Sequence, residues 1–422
     1  MVQVKQLSNG MTVVLERMEH LRSVSIGVWV KVGSANENIE NNGIAHMIEH
    51  MLFKGTRNRS AKDLADDMSM IGGNMNAYTS KECTSYYVTT LDSHLPIAVD
   101  ILGDMICNSI FAEDDIEKEK GVIIEEIDMY DDSPDDLVHE LLQKNTWEDH
   151  PLGYIISGTK ENVNRFSRKQ LLEFMNQFYV ADNMVISVVG GFDENMVMEL
   201  LERYFSKVPK TGKRIEVTKP SYVRNFTVRE KDIEQVHMNL AFDCVDYTSK
   251  DKYLLSIVNS VLGGSESSKL FQIIREEMGL TYSIFSYGST YSTAGLFHID
   301  AILNPSKLEK VFSGIIKVIN DFKVQGITEH ELQRVKEQIN TELIIGSESS
   351  KNRMNSYGKA MLCRGRIMSL DETIACLNQI TREDVLRFAN QYLTLEQVSI
   401  ALIGNVNEGP LTEVKDIWSK LS

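Results

Sequence analysis

The sequence predicts an α+β fold of two homologous domains, each a mostly antiparallel sheet with helices packed on it. Three observations carry this. Runs such as MTVVLERM, VSIGVWVKV and TSYYVTTL alternate like half-buried strands. Long helical patterns lie between them, as in a layered sheet-plus-helix domain. The chain also repeats itself: FSRKQLLEFMNQFYVADNMVISVVGGF, ending at Phe192, is echoed by ITREDVLRFANQYLTLEQVSIALIGNV, ending at Val406.

In that repeat Asn176-Gln177-Phe178 answers to Asn390-Gln391-Tyr392, and Gly190 answers to Gly404. Both pairs are 214 residues apart (390 − 176 and 404 − 190). Each copy reads as an amphipathic helix, a short turn and a buried β-branched strand. A period of half the chain signals a duplicated domain rather than a solenoid. The 422 residues, 42% of them hydrophobic, suffice for two cores. The join falls in SKVPKTGKRIEVTKPSYV, a basic stretch with two prolines and little periodicity. The expected domains are therefore 1–212 and 213–422.

At the N-terminus, MVQVKQLSNGMTVVLERMEH lacks the apolar core of a signal peptide. No apolar run approaches the ~18 to 20 residues that span a bilayer. Five cysteines, odd in number and without a C-x-x-C pair, fit reduced thiols. The expected location is the cytoplasm. The net charge of −16 argues against nucleic acid, whose phosphates demand a basic footprint, and against an anionic membrane surface. Its plain meaning is solubility; its sharper meaning is a negative interior that favours basic peptides.

The chemistry-bearing stretch is HMIEH, His46 to His50, within GIAHMIEHMLFKGT. Residues four apart share a helix face, so His46 and His50 can reach one point, with Glu49 beside them. Zinc takes imidazole nitrogen and carboxylate oxygen, and a catalytic site keeps one position for water. Two histidines are too few, so a third ligand must come from elsewhere. The plain alternative is a pair of hydrogen-bonded histidines on a core helix. The duplication offers an internal control. Aligning Gly55 with Gly264 sets His46, Glu49 and His50 against Leu255, Val258 and Asn259. The second half keeps an apolar helix without the triplet, which favours a function confined to the first half.

The segment AEDDIEKEKGVIIEEIDMYDDSP has a helical period. With Ile123 at zero and ~100° per residue, Ile116, Ile127 and Tyr130 fall within about 40°. Glu126 and Glu119 lie about 60° and 40° to one side, and Glu125 points to solvent. Two carboxylates thus border a buried face. They either reach out to water or bind something, since an unpaired buried carboxylate is costly. Glu126 is the candidate third ligand, and Glu119 a group that steadies a ligand.

H-x-x-E-H, followed by a glutamate 76 residues after the second histidine (126 − 50), resembles the inverted-motif zinc peptidases. These are the pitrilysin and insulysin family, and in particular its mitochondrial processing peptidase-like short-chain branch. GGNMNAYTSKECTSYY, EKEKGVIIEEI, DHPLGYIISGT and, in the second half, GGSESSKLFQIIREEMGLTYSI resemble family segments as well. The resemblance implies one Zn2+ per chain, held by His46, His50 and Glu126. Glu49 would be the general base and Glu119 the supporting acid. Arg275 and Tyr282 of the C-terminal signature would face the zinc site; their plain reading is an exposed charge and a core aromatic. The strand Asn76-Ala77-Tyr78-Thr79, after Gly72-Gly73, would lend its edge to a peptide backbone; its plain reading is a core strand.

The function expected from this resemblance is an endopeptidase for extended or unfolded peptides, working as a clamshell homodimer. The rival is a non-catalytic peptide-binding or partner subunit, which normally goes with a broken motif, whereas this motif is complete. Other groupings carry less. Asp135, Asp136 and His139 lie in SPDDLVHELL, which reads as a helix start capped by Ser133 with Pro134 first. His150, before Pro151, belongs to a turn. GGSESS lacks the lysine spacing of a phosphate loop.

Overall fold

The computed structural model describes residues 2–213, 216–406 and 408–421. Among the described residues eleven strands form two sheets. The first holds β1 (Gln3–Gln6), β2 (Thr12–Arg17), β3 (Ser23–Val30), β4 (Asn74–Thr79), β5 (Thr84–Leu91) and β6 (Met184–Gly190), in the order β1-β2-β6-β3-β5-β4. The second holds β7 (Phe226–Glu230), β8 (Val236–Cys244), β9 (Thr281–Thr290), β10 (Gly295–Leu303) and β11 (Ser399–Gly404), in the order β7-β11-β8-β10-β9. Only β2 with β6 and β7 with β11 run parallel; every other pair is antiparallel. Among the described residues no helix is long and apolar enough to cross a membrane.

The repeat is visible in local detail. Helices Arg168–Phe178 and Arg382–Tyr392 each open with a capping box, Ser167 with Gln170 and Thr381 with Asp384. Each leads through one short turn into β6 or β11, which end at Gly190 and Gly404. Those glycines have φ of 135° and 141°. A Cβ there would lie 2.3 Å from the Ser23 carbonyl and 2.6 Å from the Gln235 carbonyl. Only glycine allows this backbone and this close approach.

The compact units do not follow the single division expected at Gly212. One comprises the chain up to Asp128, Tyr154–Val217 and Ile344–Met368; the other comprises Met129–Gly153, Thr218–Leu343 and the chain from Ser369. Helix Ser350–Arg364, late in the sequence, packs on β3 and β6, while helix Pro134–Thr146, early in the sequence, packs on β8 and β11. This also corrects the half-buried alternation read for the first strands. From Val24 to Val30 every residue of β3 is buried, as are four consecutive residues of β2. One face packs into the main core of the first unit. The other packs Val14, Trp29, Val185 and Val189 against Met354 and Leu362 of the late helix.

That late helix lies flat on Trp29. A Cβ on Gly358 would sit 2.3 Å from the indole, and one on Gly27 would sit 2.5 Å from it. Polar pins fix the helix at its start: Ser350 Oγ lies 3.1 Å from Ser25 Oγ, and Arg353 and Tyr357 donate to Glu16 at 2.7 and 2.9 Å. In the second unit His139 plays the matching part. Its Nδ1 lies 2.6 Å from the Tyr287 hydroxyl and 2.8 Å from Asn239 Nδ2. Asn239 also donates to Asp300 at 2.8 Å and lies 3.1 Å from His298 Nδ1. Ser133 caps this helix and Pro134 opens it, as its sequence indicates. Burial pushes His298 down to about 3 and Asp300 up to about 8; Asp300 Oδ2 has no partner.

Two tests follow from this packing. Gly358→Ala gains roughly 1 kcal/mol of helix propensity but drives a methyl into a rigid, buried ring. The expected net effect is a loss of about 1–3 kcal/mol, read from denaturant unfolding; a gain would show that Trp29 moves freely. Asp300 has a folded value above its unfolded one, so its contribution to stability is full below about pH 4 and is lost as pH rises through about 8. Asp300→Asn keeps the acceptor for Asn239 and removes the ionisation. Its melting temperature relative to wild type is expected to climb between pH 5 and 9; a difference independent of pH would show that Asp300 does not titrate there.

Candidate metal centre

The central helix of the first unit is Ile44–Leu52. Ile44, Ala45, Met47, Ile48, Met51 and Leu52 are buried in the core, which leaves His46, Glu49 and His50 on the remaining side. The long helix Glu113–Asp132 runs past them on Ile116 and Ile123, and it directs Glu119 and Glu126 toward the same place. Glu125 is exposed, as its helical phase indicates.

His46 Nε2 lies 3.7 Å from Glu126 Oε1, and His50 Nε2 lies 3.4 Å from Glu126 Oε2. Among the described residues His46, His50 and Glu126 form the one group of this kind that could hold a metal ion, one ligand atom from each lying within 4.8 Å of the others. Tetrahedral bonds of ~2.0–2.2 Å hold ligand atoms roughly 3.3–3.6 Å apart. Two imidazole nitrogens and a carboxylate at these separations fit zinc and leave the fourth direction open. The rings meet edge to face, with centroids 4.6 Å apart.

Charges around the triplet favour a cation. Burial works against a charged His50, yet hydrogen bonds to Glu119 and Glu126 outweigh it and lift the imidazole to about 9. His46, more buried and facing His50, is held down to about 4. A positive charge is thus favoured at one point between the rings and the carboxylates, and a divalent ion meets that demand as a proton does. His50 Nδ1 lies 3.1 Å from Glu119 Oε2. Glu119 is 4% exposed. Burial would raise its carboxyl, but His50 and Lys54 outweigh that and hold it below the usual range. Lys54 Nζ lies 2.5 Å from the other Glu119 oxygen.

Glu49 sits beside this group. The Thr79 hydroxyl donates to its Oε2 at 2.5 Å. Burial raises the Glu49 carboxyl, with Thr79 and His50 opposing. Thr79 ends β4, one of the two edge strands of the first sheet. Residues Asn74 to Thr79 are alternately exposed and half-buried, with Ala77 against the core and Tyr78 tilted on Tyr87 at 6.4 Å. Asn76, Ala77, Tyr78 and Thr79 therefore form an open edge and not a core strand. Arg275 and Tyr282 belong to the second unit and lie together there. The Arg275 guanidinium is 4.4 Å from the Phe271 ring centre and 6.0 Å from that of Tyr282. Arg275 sits on a π-helical turn, Phe271–Glu277, and Tyr282 is 76% exposed, so it is no core aromatic.

The sequence reading missed Lys54 and the Thr79 hydroxyl. Lys54 follows His50 by four residues, the spacing that separates the two histidines, and this was the available signal. Nothing local ties Thr79 to Glu49, because strand and helix meet only in the folded unit. At the aligned positions of the second unit, Leu255 and Val258 are core residues, and Asn259 Oδ1 accepts from Ser286 Oγ at 2.8 Å.

Compared with known proteins, the chain matches two family models in tandem. Residues 12–160 match the model described as insulinase (peptidase family M16), and residues 165–339 match the peptidase M16 inactive domain. A protein named as an uncharacterized zinc protease of Bacillus subtilis is 41% identical over 94% of this chain and 96% of its own. Another so named, from Rickettsia felis, is 36% identical over 95% of this chain and 97% of its own. Among solved structures, a protease from Helicobacter pylori matches with a TM-score of 0.88 at 24% identity, covering 96% of this chain and 99% of that one. The peptidase M16 inactive domain from Pseudomonas fluorescens matches with a TM-score of 0.90 at 20% identity, covering 96% and 98%. Those two likenesses concern the fold alone. With two tandem family matches and relatives named zinc proteases along almost its whole length, the chain belongs to the insulinase family, peptidase family M16.

Proposed function

We propose that this protein is a zinc endopeptidase that hydrolyses extended or unfolded peptides. The observation that carries the reading is the convergence of His46, His50 and Glu126 beside a half-buried carboxylate, Glu49, tied to the end of an open edge strand. His46, His50 and Glu126 would hold one Zn2+ per chain. Bound zinc supplies a Lewis acid and brings the pKa of a water toward ~7.

The remaining work falls to the chain's own groups. Glu49 accepts a proton as water attacks the scissile carbonyl and delivers it to the leaving amine. Its burial makes it a stronger base than a solvated carboxylate, and Thr79 fixes its orientation. Glu119, ionised against Lys54, accepts a hydrogen bond from His50 Nδ1–H, which keeps the proton on Nδ1 and leaves Nε2 as the atom with a free lone pair. The β4 edge, Asn76 to Thr79, pairs with substrate main chain and so accepts peptides with little regard to side chains. Arg275 and Tyr282 supply hydrogen-bond donors to the developing oxyanion. In a homodimer they would do so at the metal centre of a second copy. The free thiols suit the reducing cytoplasm.

The deciding experiment is cleavage of an unfolded, basic, quenched-fluorophore peptide by wild type and Glu49→Gln, each with and without a chelator. Wild type with metal is expected to cleave, and Glu49→Gln to bind zinc yet lose about 10²–10⁴-fold in rate. Equal cleavage by both would remove Glu49 from the mechanism. No cleavage by either, with one metal bound per chain, would favour a peptide-binding partner subunit. A second expectation concerns the support of His50: Glu119→Gln weakens zinc binding about 10- to 100-fold, read by competition with a chromophoric chelator. For the dimer, mixing Glu49→Gln with Arg275→Ala chains is expected to restore part of the activity; no recovery would exclude sharing between copies.

A further inference from the structure

The metal helix starts on a glycine. Gly43 has φ of 100° and offers no side chain to the first N–H groups of the helix. The cap comes instead from six residues upstream. One Glu37 oxygen accepts from the Gly43 N–H at 2.8 Å and from Asn42 Nδ2 at 2.9 Å. The other accepts from the Ala45 N–H at 2.8 Å. Glu37 is 5% exposed. Burying a carboxylate is costly, and burial does push this one up to about 7, against the three donors and the nearby charge of Lys81.

The loop around Glu37 is itself tied down. Asn42 Nδ2 donates to the Ile155 carbonyl at 2.8 Å, and Asn162 Nδ2 donates to the Ile39 and Asn42 carbonyls at 2.9 and 3.2 Å. The Asn42-Gly43 backbone crosses that of Ser157-Gly158 so closely that a Cβ on Gly43 would lie 2.7 Å from the Ser157 carbonyl. Ala35 N–H donates to the Lys81 carbonyl at 2.7 Å, in the turn that follows β4. A serine or aspartate at the N-cap would close the helix end without any of this. A carboxylate rooted in a clamped loop does something such a cap cannot. It ties the helix end to a fixed point outside the helix, with a charge that also suits the helix dipole. Ala45 immediately precedes His46, and His50 follows one turn later on the same rigid rod.

We propose that Glu37 is a positioning residue for the metal centre: it caps the metal helix from the clamped loop and sets the axial and rotational position at which His46 and His50 meet Glu126. The inference rests on reading His46, His50 and Glu126 as the metal ligands. Its mark is an effect on the geometry and affinity of the site in protein that is otherwise folded.

The test uses the full chain, freed of metal, as wild type, Glu37→Gln and Asn42→Ala. Glutamine keeps the volume but presents one acceptor oxygen in place of two, so the Gly43 or Ala45 N–H loses its partner. Zn2+ affinity is read by competition with a chromophoric chelator, site geometry by the visible absorption of the Co2+ form, and the fold by circular dichroism. Glu37→Gln is expected to retain the fold, to bind Zn2+ about tenfold more weakly and to alter the Co2+ band. Amide exchange at residues 43–47 should quicken. A lower melting temperature with Zn2+ affinity and Co2+ spectrum unchanged would overturn the inference and leave Glu37 a structural residue. If Glu37→Gln does not fold, Asn42→Ala decides: it removes the bridge from Glu37 to Ile155, and a smaller loss of affinity with a shifted band is expected, while no change overturns. Wild type that binds neither metal would overturn the reading of the site itself, and this inference with it.

Discussion

The central strands of each sheet are covered on both faces, and one cover is a helix from the opposite half of the chain. Helix Ser350–Arg364 presses Gly358 and Met354 onto Trp29 and Gly27, while the first core closes the other face of the same strands. Sheets buried on both sides tolerate little displacement, because interiors are packed to crystal-like density. β3 and β5 are thereby fixed, and β4, hydrogen-bonded to β5 along one side, pairs with no strand of the described residues along the other. That edge ends at Thr79, and Thr79 holds Glu49. The strand that would receive a peptide and the carboxylate that would act on it are therefore parts of one rigid assembly.

Around helix Ile44–Leu52 the governing problem is how to hold several buried and half-buried carboxylates close together. Glu37, Glu49, Glu119 and Glu126 all lie near it, and each finds different compensation. Glu37 has three N–H donors and Glu119 has His50 and Lys54. Glu49 has Thr79, and Glu126 faces both imidazoles. The two that support are held by fixed donors.

The duplicated unit shows what the same scaffold does without that burden. It keeps the capped helix, the turn, the strand and the closing glycine at the same spacing. At the positions aligned with His46, Glu49 and His50 it packs Leu255 and Val258 and lets Asn259 hold β9 through Ser286. Its half-buried His139 and buried Asn239, His298 and Asp300 pin the exchanged helix to the sheet, as Glu16, Ser25, Ser350 and Arg353 do in the first unit. Polar burial therefore serves assembly in both units and, in the first, candidate chemistry as well.

Much of this was legible in the chain itself. Backbone geometry places His46, Glu49 and His50 on one side of a helix wherever it packs. Helical phase alone brings Glu126 and Glu119 to the border of a buried face and sends Glu125 to solvent. The repeat told of two related domains, and Ser133-Pro134 of a helix start rather than a metal cluster. These properties follow from local periodicity, which covalent geometry imposes. The exchange of helices did not show, since an apolar face announces that it will be covered without naming the cover. Nor did the strand burial that the exchange produces, the Lys54 grip on Glu119, the Thr79 bond to Glu49 or the cap from Glu37. Each joins groups whose meeting depends on how separate elements pack, so tertiary structure alone decided them.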